Sequence, residues 1–139
     1  MKKTIQKIYC DGGSKGNPGP GIAVVKIDSS FIDHVKYRTL GTVTNNQAEY
    51  EAFIMALEEA NRILKTNHKN KPSFEILVDS QLVHGHIERN WNVNKNQRLV
   101  QKAKEMCYQI KDKTDITVVL IPRQENQAGI WIDKNKSKY

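Results

Sequence analysis

Residues 8–21 read IYCDGGSKGNPGPG and place one carboxylate, Asp11, between a β-prone segment and a run rich in glycine and proline. Residues 5–10 favour a strand, and we expect the chain to leave that strand in a tight turn within residues 12–21. Residues 22–27 then predict a second strand. Asp11 would lie at a strand end, beside backbone that a ligand can approach closely. Taken alone, an aspartate before glycines is more often a turn residue than a catalytic one.

The length and composition of the chain favour one ordinary globular domain. The 139 residues are 38% hydrophobic and 27% charged, so we expect a single domain spanning residues 1–139. The balance of 22 basic against 15 acidic residues gives a net charge of +7. That excess favours a polyanionic partner, although a basic surface that serves only solubility is the alternative.

The cysteines and the apolar segments exclude several classes of protein. Cys10 and Cys107 are far apart and form no CxxC pair, which argues against a disulfide framework or a zinc site. Residues 1–5 lack the apolar run of a signal peptide, and no stretch approaches the length of a membrane span. We therefore expect a cytoplasmic protein without a membrane partner.

The hydrophobic periodicity predicts the element order β-β-β-α-β-α-α-β-α. We predict strands at residues 4–10, 21–28, 31–40, 73–78 and 116–122, and helices at about 44–65, 80–90, 97–111 and 127–136. The first three strands would form an antiparallel meander with a turn at residues 28–30. The later strands alternate with helices, so the fold class is α/β, with a mixed sheet and helices packed on its faces.

Two further acidic residues occupy positions typical of functional sites. Glu49 falls in the first turn of the long helix, on the edge of its apolar stripe. The spacing of Asn46 and Glu49 is that of a capping box, and a solvated glutamate at the start of a helix is the alternative role for Glu49. Asp79 ends the fourth predicted strand and precedes a helix, a frequent site position in α/β folds.

Four segments, in this order, resemble the type 1 ribonuclease H family, in its branch that lacks a basic handle. They are residues 9–19 (YCDGGSKGNPG), 44–49 (TNNQAE), 78–83 (VDSQLV) and 121–126 (IPRQEN). The resemblance implies a ribonuclease H-like fold, with a five-stranded mixed sheet and helices on both faces. It also implies endonucleolytic hydrolysis of the RNA strand of RNA–DNA hybrids.

By this resemblance, Asp11, Glu49 and Asp79 match the family's catalytic and metal-binding carboxylates. The chemistry agrees, because two hard divalent cations serve phosphodiester hydrolysis and Mg²⁺ prefers carboxylate oxygens. Carboxylates crowded together would repel one another strongly in the absence of metal. We expect two Mg²⁺ ions in the site, with Mn²⁺ as a possible substitute.

The fourth family carboxylate is displaced in this sequence. The family usually carries an aspartate four residues after the asparagine that matches Asn126, but that position is Ile130 here. The nearest aspartate, Asp133, would lie on the next turn of the same helix face. We therefore assign Asp133 as a candidate catalytic and metal-binding residue, the alternative being an exposed residue and a site with three carboxylates.

The resemblance also implies a set of substrate contacts. The candidate substrate-binding residues are Gly12, Gly13, Asn17, Thr44, Asn45, Asn46, Gln81 and Arg123. Asn17, Asn46 and Gln81 would face the minor groove, where the 2′-hydroxyl distinguishes RNA from DNA. Thr44 and Asn45 would hold the backbone of the DNA strand, and Arg123 would contact the scissile phosphate or help product release.

Three functions are compatible with this sequence. The first is a metal-dependent ribonuclease H that acts on RNA–DNA hybrids as a monomer, with no obligate protein partner. The second is a catalytically weak or inactive hybrid-binding module with the same fold, favoured by the irregular position of Asp133. The third is a nuclease for DNA or structured RNA on this fold.

Overall fold

Five strands form one mixed sheet, in the order β3-β2-β1-β4-β5. The computed structural model describes residues 4–28, 34–67 and 69–139. The strands are β1 (Ile5–Ser14), β2 (Gly19–Ile27), β3 (His34–Val43), β4 (Ser73–Val78) and β5 (Ile116–Leu120). The helices are α1 (Asn45–Thr66), α2 (Gln81–Glu88), α3 (Gln97–Lys111) and α4 (Gln127–Lys134), with short 3-10 helices at Arg123–Glu125 and Lys136–Lys138. The predicted α/β class and five-stranded mixed sheet are confirmed.

The first strand is longer than the sequence predicted. Gly12 and Gly13 do not end β1 but continue its antiparallel ladder, opposite Ala23 and Ile22 of β2. A reason is the approach of α1: a Cβ placed on Gly12 would lie 2.0 Å from the main-chain oxygen of Ala48. Gly12 therefore serves close packing of strand and helix, and the turn itself lies beyond Ser14.

Two other predicted boundaries differ or lie outside the described residues. The third strand runs from His34 to Val43, further along the chain than predicted, and the proposed turn at 28–30 falls partly outside the described residues. The first helix begins with a capping box between Thr44 and Gln47, not between Asn46 and Glu49. Thr44 Oγ1 accepts from the Gln47 N–H at 3.2 Å, and the Thr44 N–H donates to Gln47 Oε1 at 2.8 Å.

The sheet is covered on both faces, as predicted. The larger apolar core packs α1 and α3 against one face of the sheet, around Phe53, Ile76 and Ile110. A smaller cluster on the opposite face joins β2 to α4 through Val24 and Ile132. Within residues 4–28, 34–67 and 69–139, no helix is both long and apolar enough to cross a membrane.

The parallel pairing of β1 and β4 places two of the predicted acidic residues at one edge of the sheet. The last paired residues of this ladder are Tyr9 and Leu77. Asp11 and Asp79 each follow two residues later, so both carboxylates lie at the same end of these two neighbouring parallel strands. The first turn of α1 packs against β1 at Gly12, and this contact brings Glu49 to the same edge of the sheet.

Candidate active site

Asp11, Glu49 and Asp79 converge at this edge of the sheet. One side-chain oxygen from each lies within 4.8 Å of the others. Asp11 is buried, with 5% of its surface exposed, whereas Glu49 and Asp79 are half-buried. Three carboxylates from three different elements within this distance form a donor set that suits a hard divalent cation.

Burial and mutual repulsion raise the pKa of two of these groups. Desolvation is the main cause of the raised pKa of Asp11, and the charges of Glu49 and Asp79 raise it further. Desolvation likewise raises the pKa of Glu49, partly offset by a hydrogen bond from the Ser80 hydroxyl. A divalent cation would offset both the burial and the mutual repulsion of these carboxylates, so the cluster fits such an ion.

Asn126 holds the strands and the last helix together beneath the carboxylates, a role that the sequence analysis missed. Its Nδ2 donates to the main-chain oxygen of Cys10 at 2.9 Å and to Asp79 Oδ2 at 3.0 Å. Its Oδ1 accepts from the Ala128 N–H at 3.1 Å and so caps α4. The signal in the sequence was an N-cap residue directly before an apolar helix, within a segment already singled out for its resemblance.

Ser80 is a second residue whose role the sequence analysis missed. Its hydroxyl oxygen accepts from the Val83 N–H at 3.1 Å, which caps α2, and the same hydroxyl lowers the pKa of Glu49 against the larger effect of burial. One side chain thus caps a helix and favours the charged form of Glu49 on another helix. Its position directly after Asp79 was the available signal.

Asp133 lines the same cleft but is not part of the compact group of three. It is exposed on α4, and its carboxylate lies outside the set of oxygens within 4.8 Å of one another. Gly129, one helical turn earlier, faces Asp11 so closely that a Cβ there would lie 2.8 Å from Asp11 Oδ2. Ile130, the position where the family pattern has its aspartate, is 38% exposed and is not among the cleft-lining residues.

The cleft around the carboxylates has a volume of about 340 Å³. Its lining includes Gly12, Gly13, Asn45 and Arg123 from the predicted substrate-binding set. Arg123 lies in the 3-10 helix before α4, and its positive charge lowers the pKa of Asp11 and of Glu49 against the larger effect of burial. The cleft therefore combines acidic groups for a cation with one guanidinium for an anion.

Hydrogen bonds accepted by two asparagine side chains join the end of β1 and the β1–β2 turn to the start of α1. Asn17 Oδ1 accepts from the Asn45 N–H at 2.9 Å. Asn45 Oδ1 accepts from the N–H and the hydroxyl of Ser14, at 3.2 and 2.8 Å. Asn45 Oδ1 thus accepts two hydrogen bonds. The NH₂ group of Asn45 can then donate to a ligand.

Asn46 and Gln81 lie outside the residues that line the acidic cleft. Asn46 lines a separate cavity of about 240 Å³, together with Leu82 and His86 of α2. Gln81 is exposed at the first position of α2, two residues after Asp79. The polar candidates are thus distributed along the surface on which α1 and α2 begin.

Comparisons with known proteins agree with this arrangement. Residues 3–132 match the RNase H family model. A ribonuclease HI from Halobacterium salinarum is 34% identical over 126 residues, covering 87% of this chain and 58% of that protein. The chain thus spans little more than half the length of this relative.

Solved structures show the same likeness at the level of the fold. LC11-RNase H1, isolated from compost by a metagenomic approach, superposes with a TM-score of 0.80 at 29% identity, covering 99% of this chain and 98% of that one. The same protein in complex with an RNA/DNA hybrid superposes with a TM-score of 0.71, covering 88% of each chain. With three carboxylates at the predicted edge of the predicted sheet, and with a family match over nearly its whole length, this chain belongs to the RNase H family.

Proposed function

We propose that this protein is an endonuclease that hydrolyses the RNA strand of RNA–DNA hybrids. The observation that carries the proposal is the group formed by Asp11, Glu49 and Asp79, whose oxygens lie within 4.8 Å of one another in an open cleft. A protein that only bound nucleic acid would gain nothing from three negative charges where phosphates approach. Membership of the RNase H family and the hybrid bound by LC11-RNase H1 support the choice of substrate.

The carboxylates are suited to two Mg²⁺ ions, with Mn²⁺ as a substitute. Such ions, when bound, supply a nucleophilic water at neutral pH and stabilise the charge on the leaving oxygen. Asp11, Glu49 and Asp79 would hold them, and Asp133 would complete the ligand set from α4. Asn126 keeps the Asp79 carboxylate oriented for this task.

The polar residues around the cleft would recognise the duplex. Asn17, Asn46 and Gln81 offer amide groups to the minor groove, where the 2′-hydroxyl identifies the RNA strand. Gly12 and Gly13 leave the β1 backbone accessible beside Asp11, while Thr44 and Asn45 would contact the DNA backbone. Arg123 would bind the phosphate at the cleavage point, since a guanidinium matches phosphate geometry.

A substrate panel separates this proposal from the two alternatives. Wild-type protein is incubated with an RNA–DNA hybrid, duplex RNA and duplex DNA of the same sequence, in Mg²⁺ and in Mn²⁺. Cleavage of the hybrid alone, in its RNA strand, supports the proposal. Binding of the hybrid without cleavage would identify a binding module, and preferential cleavage of duplex DNA or duplex RNA would identify another nuclease.

A further inference from the structure

Lys15 connects two segments whose residues line the acidic cleft. It lies in the turn between β1 and β2, directly after Ser14. Its ammonium group donates hydrogen bonds to the main-chain oxygens of Lys136 and Tyr139. The same group lies 4.5 Å from the centroid of the Tyr139 ring, within the range of a cation–π interaction.

Residues 136–139, here termed the C-terminal strap, are held against the fold at further points. Tyr139 packs on the smaller apolar cluster between β2 and α4. The Lys138 ammonium lies 5.9 Å from the centroid of the Tyr37 ring, which in turn packs against Trp131 of α4 with ring centroids 5.2 Å apart. These contacts bring the strap oxygens within reach of Lys15.

The main-chain oxygens around Lys15 leave part of its donor capacity for a phosphate. An ammonium group has three donors and no acceptor, and the oxygens of Lys136 and Tyr139 take two of these donors. A hydrogen bond from an ammonium to a phosphate oxygen is charge-assisted on both sides and therefore stronger. Lys15 also lies two residues from Asn17, in the turn that the proposed hybrid would approach.

We propose that Lys15 is a further hybrid-binding residue, and that the C-terminal strap competes with a backbone phosphate of the hybrid for its ammonium group. This inference rests on the proposed function. It predicts that the strap competes with the hybrid, because the strap oxygens and a phosphate would share the donors of one ammonium group. Loosening the strap should therefore strengthen binding, but only while Lys15 is present.

The first part of the test measures hybrid affinity by fluorescence anisotropy over a series of KCl concentrations at fixed Mg²⁺. All variants carry Asp11→Asn so that the hybrid stays intact. Lys15→Met should weaken binding about threefold to tenfold and reduce the slope of log affinity against log salt by about 1. The matched control is Lys65→Met, which removes the same charge at the far end of α1, roughly 30 Å from Asn45; it should change neither quantity.

The second part tests the competition. Tyr139→Ala removes the ring over Lys15 while keeping both strap lysines, and it should tighten hybrid binding about twofold to fivefold. In the Lys15→Met background the same substitution should have no effect on affinity. Circular dichroism melting of each variant checks that it is folded.

Three results would overturn the inference. Lys15→Met could behave like Lys65→Met, or Tyr139→Ala could change affinity equally with and without Lys15; either outcome leaves the proposed function intact. If the Asp11→Asn protein binds no hybrid under any condition, the proposed function fails, and this inference fails with it.

Discussion

Asn126 donates a 3.0 Å hydrogen bond from Nδ2 to Oδ2 of Asp79. The Asn126 side chain is completely buried, and its second Nδ2 bond reaches the main-chain oxygen of Cys10, directly before Asp11. It therefore connects β1, β4 and α4 at the point where the carboxylates meet. An amide makes these connections without adding another negative charge to a crowded acidic site.

Asn126→Asp should impair both folding and cleavage. The new carboxylate keeps the acceptor that caps α4, but it loses the donors to Cys10 and Asp79 and adds a repulsive charge. We expect a loss of about 2–4 kcal/mol in the free energy of unfolding at neutral pH and at least a tenfold loss of cleavage rate. Chemical denaturation and cleavage of labelled hybrid measure the two effects.

A matched control for this variant is Asn67→Asp. The side chain of Asn67 also donates to a main-chain oxygen, that of Ile63 at 2.8 Å, but at the C-terminal end of α1. It should leave the cleavage rate unchanged. If Asn126→Asp cleaves the hybrid at the wild-type rate, the orienting role of Asn126 is wrong.

Asp11→Asn should raise the stability of the metal-free protein while it abolishes cleavage. Burial and the neighbouring charges raise the pKa of Asp11 and of Glu49, so the folded state holds protons that the unfolded chain has released. Stability therefore falls as the pH rises above the ordinary carboxyl pKa, about 4, toward the raised values. Removing one charge should recover about 1–3 kcal/mol at pH 8 in EDTA.

Thermal melting of wild type and Asp11→Asn over a pH series, in EDTA, checks this prediction. The wild-type melting temperature should decline from pH 6 to pH 8 more steeply than that of the variant. Added Mg²⁺ should restore the wild type at pH 8 and have less effect on the variant. If the melting temperatures of the two proteins changed with pH in the same way, repulsion among the three carboxylates would not destabilise the metal-free protein.

Gly12→Ala and Gly13→Ala form a natural pair, because the two glycines are adjacent in β1 and differ in their surroundings. A Cβ on Gly12 would lie 2.0 Å from the main-chain oxygen of Ala48, whereas a Cβ on Gly13 meets no atom within 4 Å. Gly12→Ala should cost about 3 kcal/mol or more, since strand and helix must separate. Gly13→Ala should fold with nearly wild-type stability in urea denaturation, and equal losses for both would refute the close packing at Gly12.

Asp133→Asn should raise the Mg²⁺ concentration needed for half-maximal cleavage while hybrid affinity changes little. Asp133 lines the cleft from α4, whereas Ile130 lies outside its lining. Ile130→Asp should therefore fail to rescue Asp133→Asn, even though it restores the family pattern in the sequence. A magnesium titration of all three proteins decides this, and rescue by Ile130→Asp would mean that α4 presents a different face to the site.

Periodicity was sufficient to predict the sheet and the helices, and the resemblance to family motifs singled out Asp11, Glu49 and Asp79, which the structure brings together. Gly12 was misinterpreted as part of a turn, since only the approach of Ala48 from α1 explains why a glycine continues the strand. The capping box was placed two residues too late, because Asn46 and Glu49 satisfy the same pattern as Thr44 and Gln47. The contacts of Asn126 with Cys10 and Asp79 join segments that are distant in the chain, and no local pattern reports them.

The central claim is that the group of Asp11, Glu49 and Asp79 cleaves the RNA strand of a hybrid. The most direct test is a single-turnover assay in Mg²⁺ on a hybrid whose RNA and DNA strands carry different fluorophores, with wild type and Asp11→Asn at equal concentration. We predict cleavage of the RNA strand alone by wild type, and no cleavage of either strand by a variant that is folded and still binds the hybrid. Equal RNA cleavage by the two proteins, or an intact RNA strand with the wild type, would contradict the account.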